Sequence, residues 1–408
     1  MSTVLDAIIP ARLGPRYRRL LASSWITNFG DGIGLAAGPL LVASQTDDPL
    51  LVAMASLLQR LPWLLFGLYA GVIADRHDRR LIASFANIAR GAVLAVVVAM
   101  VVLDAVNVGV VLVAMFLLGT AEVFVDTTAN TLLPMIVEPD DLGIANARIM
   151  GGHIVVNQLA GPPIGAFLFA VGIAWPLAAQ VVLFVAGALL LVRIPFPLPV
   201  RPDGERHARR EIADGLSWLW EHGPVRTLTI TVVTFNITFG ATMAVMVLYV
   251  REQLGLGDVG FGVLTTMSAL GGLLGSWGYG WLQKRVSLGN IMRAGLVIET
   301  GTHLTLALTS TAAVAAAVLF VFGIHEAAWG TTAVTIRQRA VPTELQGRVS
   351  AAYMLGVFGG LVAGSALGGL IAQVWSVTAV FWFAFVGSAI ILVVIWRTLE
   401  RIAHVEPA

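Results

Sequence analysis

Stretches of roughly 20 apolar residues recur from about residue 18 to residue 396, divided by short polar breaks. Hydrocarbon offers no hydrogen bonds, so each crossing segment has to satisfy its own backbone N–H and C=O groups, and an α-helix does this within one segment. About 20 residues at 1.5 Å rise cover the roughly 30 Å of a bilayer core. Side chains that are 57% apolar and only 12% charged cannot build a water-facing exterior for 408 residues. The pattern therefore predicts a polytopic, all-α membrane protein.

The spans are expected at 18–45, 50–74, 81–103, 107–135, 144–171 and 174–193, then at 225–250, 259–282, 288–309, 311–340, 348–373 and 377–396. With both termini in the cytoplasm, Arg251 is external, Arg60 and Arg90 lie within helices, and the remaining 22 Lys and Arg fall at cytoplasmic ends. That asymmetry is the positive-inside distribution. The arginines at 12, 16, 18 and 19 precede a stretch longer than a signal peptide, which reads as a retained first helix. Residues 1–193 then form an N-terminal six-helix bundle, 194–224 a cytoplasmic linker and 225–408 a C-terminal bundle. In the linker, Ile212, Leu216 and Leu219 or Trp220 share a helical face, as on a helix lying among headgroups or on a solvated one.

The halves repeat. Pro139, Leu142, Gly161 and Gly165 correspond to Pro342, Leu345, Gly364 and Gly368 at one offset of 203, with Arg148 and Arg348 nearby. Duplicated bundles of this kind hold their ligand near the bilayer midplane.

Between the second and third spans runs Gly71-Val-Ile-Ala-Asp75-Arg76-His77-Asp78-Arg79-Arg80. Topogenic positive charge accounts for the arginines but not for Gly71 or Asp75. The loop resembles the signature loop of the major facilitator superfamily, and the twelve spans and the half-chain repeat extend the resemblance along the chain. It implies twelve helices in two six-helix bundles and a cytoplasmic gate of Gly71, Asp75, Arg76, Arg79 and Arg80. Asp126 is expected to receive Arg79, and the start of the eleventh span near Arg348 to complete the latch. Asp78 stands where the family more often has glycine. Gly161-Pro162-Pro163-Ile-Gly165 resembles the G-P-x-x-G element of exporters, and the linker resembles that of macrolide, multidrug and siderophore exporters.

Charges inside a span cost about 2.5–3.5 kcal/mol at helix centre and mark function. Asp31, in Asn28-Phe-Gly-Asp-Gly-Ile-Gly34, is the first proton-coupling candidate, with Arg60 and Arg90 as charge partners. The other reading is a fixed Asp–Arg pair. Glu122, His325 and Glu326 are further proton-coupling candidates on spans that line the cavity in this fold. Glu299 and His303, an i, i+4 pair, read as a structural hydrogen bond. Trp25, Asn28, Phe29, Phe235, Asn236, Phe239 and Met243 supply a largely apolar cavity wall or pack against neighbours.

The chain has no cysteine, hence no thiolate metal site, and its one lysine, Lys284, is followed by Arg285, so no phosphate-binding loop exists. Neither metal nor cofactor is expected, nor ATP, nucleic acid or enzymatic chemistry. An ion gradient is left as the energy source, at about 2.3 kcal/mol per charge per 100 mV. The reading is a proton-coupled antiporter of the bacterial inner membrane, working as a monomer, that exports hydrophobic or amphiphilic molecules. Export of one metabolite such as a siderophore, lipid transport, and a transport-silent receptor or assembly partner are the alternatives.

Overall fold

The computed structural model describes residues 13–138, 141–195, 208–342 and 345–399, a few side chains such as those of Asp75 and Arg76 excepted. The described secondary structure is helical throughout. Its long helices are α1 (Gly14–Ala43), α2 (Pro49–Arg76), α3 (Arg79–Val102), α4 (Val108–Leu132) and α5, then α6 (Ala174–Val192), α7 (Gly223–Glu252), α8 (Asp258–Arg285), α9 (Leu288–Leu308), α10 (Ala312–Ala340), α11 (Gln346–Val374) and α12 (Val377–Ile395). Helix α5 runs through Leu142–Gly152, a π-helical His153–Ala160 and Gly161–Val171. A linker helix, Ala208–Glu221, precedes α7.

Polar side chains start several of these helices by accepting otherwise orphaned backbone N–H groups: Asp78 for α3, Asn107 for α4, Ser287 for α9 and Ser376 for α12. Among the described residues, eleven long helices are apolar enough to cross a membrane. Helix α9 is the exception, because Arg293, Glu299 and His303 interrupt its apolar run. The reason for those polar residues is tertiary, and emerges below.

Contacts divide the chain into two compact units, Met1–Gln45 with Leu65–Glu205, and Thr46–Leu64 with Arg206–Ala408. The expected bundle boundaries kept all of α2 in the first half; the observed grouping divides it. Its first part packs on α11, where Gly369 admits Leu50 and Ala53 and where Trp63 stacks on Phe358 at 4.7 Å.

In the first unit, α1 and α5 meet backbone to backbone. A Cβ at Gly32 would lie 2.8 Å from Asn157 Cα, and one at Gly161 would lie 2.9 Å from Ile33 N and closer still to Gly32 Cα. Gly165 abuts Ile33 in the same way. In the second unit Gly364 and Gly368 bring α11 equally close to Ile237 and Ala241 of α7. The 203-residue repeat thus preserves a pair of glycines with one job, the close approach that small residues allow in membranes. Gly271 and Gly275 serve α8 against α10 in the same fashion, and Gly356 and Gly360 serve α11 against α7.

The linker helix sits on the second unit. Gly215 touches the Arg348 backbone, Leu219 is buried against Val225, Val341 and Val349, and Arg348 pairs with Asp214 at 3.3 Å. The expected single apolar face is therefore split: Leu219 is covered by protein, while Leu216 and Trp220 are exposed. The side chain of Ile212 lies outside the described residues.

Candidate functional site

In the first unit, α1, α3, α4, α5 and α6 converge on one polar cluster. Asp31 of α1 is ion-paired with Arg90 of α3, the carboxylate 25% and the guanidinium 6% exposed. Asn87, one turn before Arg90, accepts from it at 3.5 Å, and the guanidinium lies 4.0 Å above the Phe184 ring of α6, a cation–π contact in an apolar setting. Gly30 leaves room for that ring. Glu122 and Asp126, one turn apart on α4, are within electrostatic range of Arg90. Asp126 is exposed and its charged neighbours are Glu122, Asp31 and Arg90. One arginine thus faces three carboxylates.

Helix α5 closes the cluster from the other side. His153 Nδ1 meets Asn28 Oδ1 at 2.8 Å, and Asn157 donates to the Asn28 carbonyl at 3.1 Å. Both come from the π-helical segment, which precedes Pro162 and Pro163. Prolines lack an N–H, and the π turn, a form common at functional sites, absorbs the mismatch. Trp25 caps the group by donating to the Arg148 carbonyl at 3.3 Å across Gly152. Phe29 is half-buried on the same helix.

Asp31 and Arg90 are thus a pair, and Glu122 joins them. Asp126 sits with this cluster. The spacing of Glu122 and Asp126 already put them on one helical face, so the second could not leave the cluster without the first. Arg60, the other expected partner of Asp31, belongs to the segment grouped with the second unit.

In that second unit Phe235 of α7 stacks on Trp329 of α10 at 5.6 Å and meets His325 edge-on at 6.0 Å, and Phe239 stacks on Phe322 at 5.8 Å. Asn236 donates to its own helix at Val232, and Met243 is half-buried. His325 is buried, whereas Glu326 is exposed. His325 and His303 both reach Glu299, at 3.1 and 2.8 Å. The sequence reading found the Glu299–His303 pair but not its link to His325.

At the loop, Asp78 does more than replace a glycine: it accepts from the backbone of Arg80 and Leu81 and pairs with the Arg80 guanidinium at 3.0 Å. Arg80 also donates to the carbonyls of Val192 and Ile194, tying the loop to the end of α6. Arg79 donates to the Ala74 carbonyl at 3.1 Å. Among the described residues, a Cβ at Gly71 would meet nothing within 4 Å. The expected roles of Asp75 and Arg76 fall on side chains outside the described residues. An apolar groove of about 670 Å³ runs beside this loop, lined by Phe85, Leu117 and Phe124 among others, and contains none of the expected cavity residues.

The family model of the Major Facilitator Superfamily matches residues 20–362. Macrolide efflux protein A of Streptococcus pyogenes is 29% identical over 163 residues, which are 38% of this chain and 38% of that protein. Macrolide efflux protein A of Enterococcus faecalis is 30% identical over 154 residues, 36% of this chain and 46% of that one. An uncharacterized MFS-type transporter of Mycobacterium tuberculosis is 32% identical over 136 residues, 33% of this chain and 31% of that one. The chain thus matches less than half the length of these relatives. Among solved structures, a point mutant of the nucleoside transporter NupG superposes with a TM-score of 0.79 at 11% identity, over 94% of this chain and 100% of that one. A bacterial homologue of the iron transporter ferroportin, in its inward-facing state, gives 0.76 at 16%, over 95% and 98%. These two likenesses concern the fold.

Proposed function

The chain belongs to the major facilitator superfamily and is a multi-pass membrane transporter of small molecules, and we propose that it exports hydrophobic or amphiphilic compounds in exchange for protons. It does so by alternating access across the bacterial inner membrane, with both termini in the cytoplasm. The observation that supports this reading is the ion pair of Asp31 with Arg90 inside the membrane-spanning helices, with Glu122 and Asp126 within electrostatic range of the same guanidinium. A carboxylate inside a span is costly and marks function, and a proton on Asp31 would change its hold on Arg90.

The mechanism follows from competition for Arg90. With Asp31 ionised, the guanidinium is held against α1. A proton on Asp31 weakens that hold and frees Arg90 to serve Glu122 or Asp126 on α4. Asp31 adjoins Gly32, which is in backbone contact with α5, so a change at the carboxylate bears directly on how α1 and α5 pack. The proton and the exported molecule then use the same negative charge at different stages of the cycle.

Export rather than import is supported by the Gly161-Pro162-Pro163-Ile-Gly165 element and by the relatives named macrolide efflux protein A. The test is susceptibility of an efflux-deficient bacterial host to a chemically broad panel that includes erythromycin and ethidium. Wild type should raise tolerance to at least one compound, and Asp31→Asn, expressed at equal level in the membrane, should not. No change with wild type across the panel refutes drug export, and full protection by Asp31→Asn refutes the role of that carboxylate.

A further inference from the structure

Helix α9 buries an acid and an imidazole that the proposed export cycle does not use. Glu299 is fully buried, and its two oxygens are each bound by a different ring: Oε1 by His303 Nε2 at 2.8 Å, and Oε2 by His325 Nε2 at 3.1 Å. Both histidines are at most 3% exposed. In the first unit the partly buried Asp31 is paired with an arginine, whose charge is fixed. Here the counter-charges among the described residues are imidazoles, whose charge depends on whether a proton is bound.

The geometry fixes where that proton goes. A carboxylate oxygen accepts, so both Nε2 atoms carry hydrogen, and any added proton has to sit on an Nδ1. Both Nδ1 atoms are buried with no hydrogen-bond partner. Space beside His325 Nδ1 is kept by Gly295, where a Cβ would come within 2.8 Å of that atom. With no added proton the three groups carry one negative charge, with one they are neutral, and with two they are positive. The edge-on contacts of His325 with Phe235 and Phe322 place these changes beside the stacked Phe235–Trp329 pair.

Other charges around the cluster are few. Helices α7, α8, α11 and α12 carry their described Asp, Glu, Lys, Arg and His residues only near their ends, or none at all. On α9 itself, Arg293 is turned to the Trp396 carbonyl and Asn290. On α10, Arg337 lies over the Tyr353 ring, and Glu326 is within electrostatic range of Glu299.

We propose that Glu299, His303 and His325 form a second proton-binding site, in the C-terminal unit, that holds one exchangeable proton and trades it with the exposed carboxylate of Glu326. The proton leaves an imidazolium Nδ1 and ends on a Glu326 oxygen, and returns by the reverse transfer, so no other reactant is needed. The site also explains why a membrane helix gives up apolar character in its middle.

The test is ring-nitrogen NMR of the full-length protein, labelled with ¹⁵N-histidine and held in lipid nanodiscs. The His303 and His325 signals, assigned from His303→Gln and His325→Gln, should respond together as the sample is taken from about pH 5 to 8, as coupled groups do. Glu299→Gln should abolish the shared behaviour, and Glu326→Gln should slow proton exchange while keeping it. Rings that hold one protonation state throughout that range in wild type overturn the proposal, as does titration of each ring unaffected by the other's replacement. Should Glu299→Gln fail to fold, the wild-type titration and Glu326→Gln decide alone. No transported compound is needed, so the result is independent of whether the chain exports any drug.

Discussion

The contact between Gly161 and Gly32 gives the sharpest structural prediction. A methyl group at Gly161 would stand 2.9 Å from Ile33 N and closer to Gly32 Cα and carbonyl carbon, all of them backbone. Carbon contacts prefer roughly 3.5–4.0 Å, so α1 and α5 must part by about 1 Å, carrying Gly32 and its neighbour Asp31 with them. Overpacking of this kind costs about 1–3 kcal/mol, against which alanine regains up to about 1 kcal/mol of helix propensity. Gly151, on the same helix, has nothing within 4 Å of its Cβ position, so Gly151→Ala should be neutral or slightly stabilising. Thermal unfolding of detergent-purified protein, followed by fluorescence-detected size exclusion, compares the two. Gly161→Ala should lower the midpoint and reduce transport together. Equal midpoints for the two variants refute the argument.

Arg90→Met should be destabilising, by no more than about 3 kcal/mol, because it leaves the partly buried Asp31 without its cation, and adding Asp31→Asn should recover part of that loss in a double-mutant cycle of thermal midpoints. Asp78→Ala removes the N-cap of α3 and should cost about 0.5–2 kcal/mol, measured the same way. Asp214→Ala breaks an exposed ion pair and should cost less than about 1 kcal/mol, whereas Gly215→Leu should lift the linker helix from Arg348 and speed its cleavage in limited proteolysis.

Much of the fold was legible because the bilayer leaves few choices: apolar length gave the helices, and the offset of 203 located paired glycines that do the same work in both units. Asp31 and Arg90 were legible for a similar reason, since two opposite charges at similar depth in an apolar medium are driven together. Asp126 lies in electrostatic range of Glu122, Asp31 and Arg90, where its helical spacing from Glu122 puts it. The Glu299–His325 contact was hidden, since the register of α9 against α10 is set by packing that no single helix encodes. His153 and Asn157 carried a usable signal, two polar residues one turn apart in an apolar span, which the structure resolves as the clasp on Asn28.

The central claim is that outward movement of a compound drives protons the other way through the Asp31 cluster. Purified protein reconstituted with trapped pyranine, and challenged with a gradient of whichever panel compound wild type exports, reads that exchange directly. Wild type should move protons against the compound's direction, and Asp31→Asn, at equal incorporation, should show no such proton movement. Substrate movement by wild type with no accompanying proton flux, or undiminished proton flux in Asp31→Asn, contradicts the account.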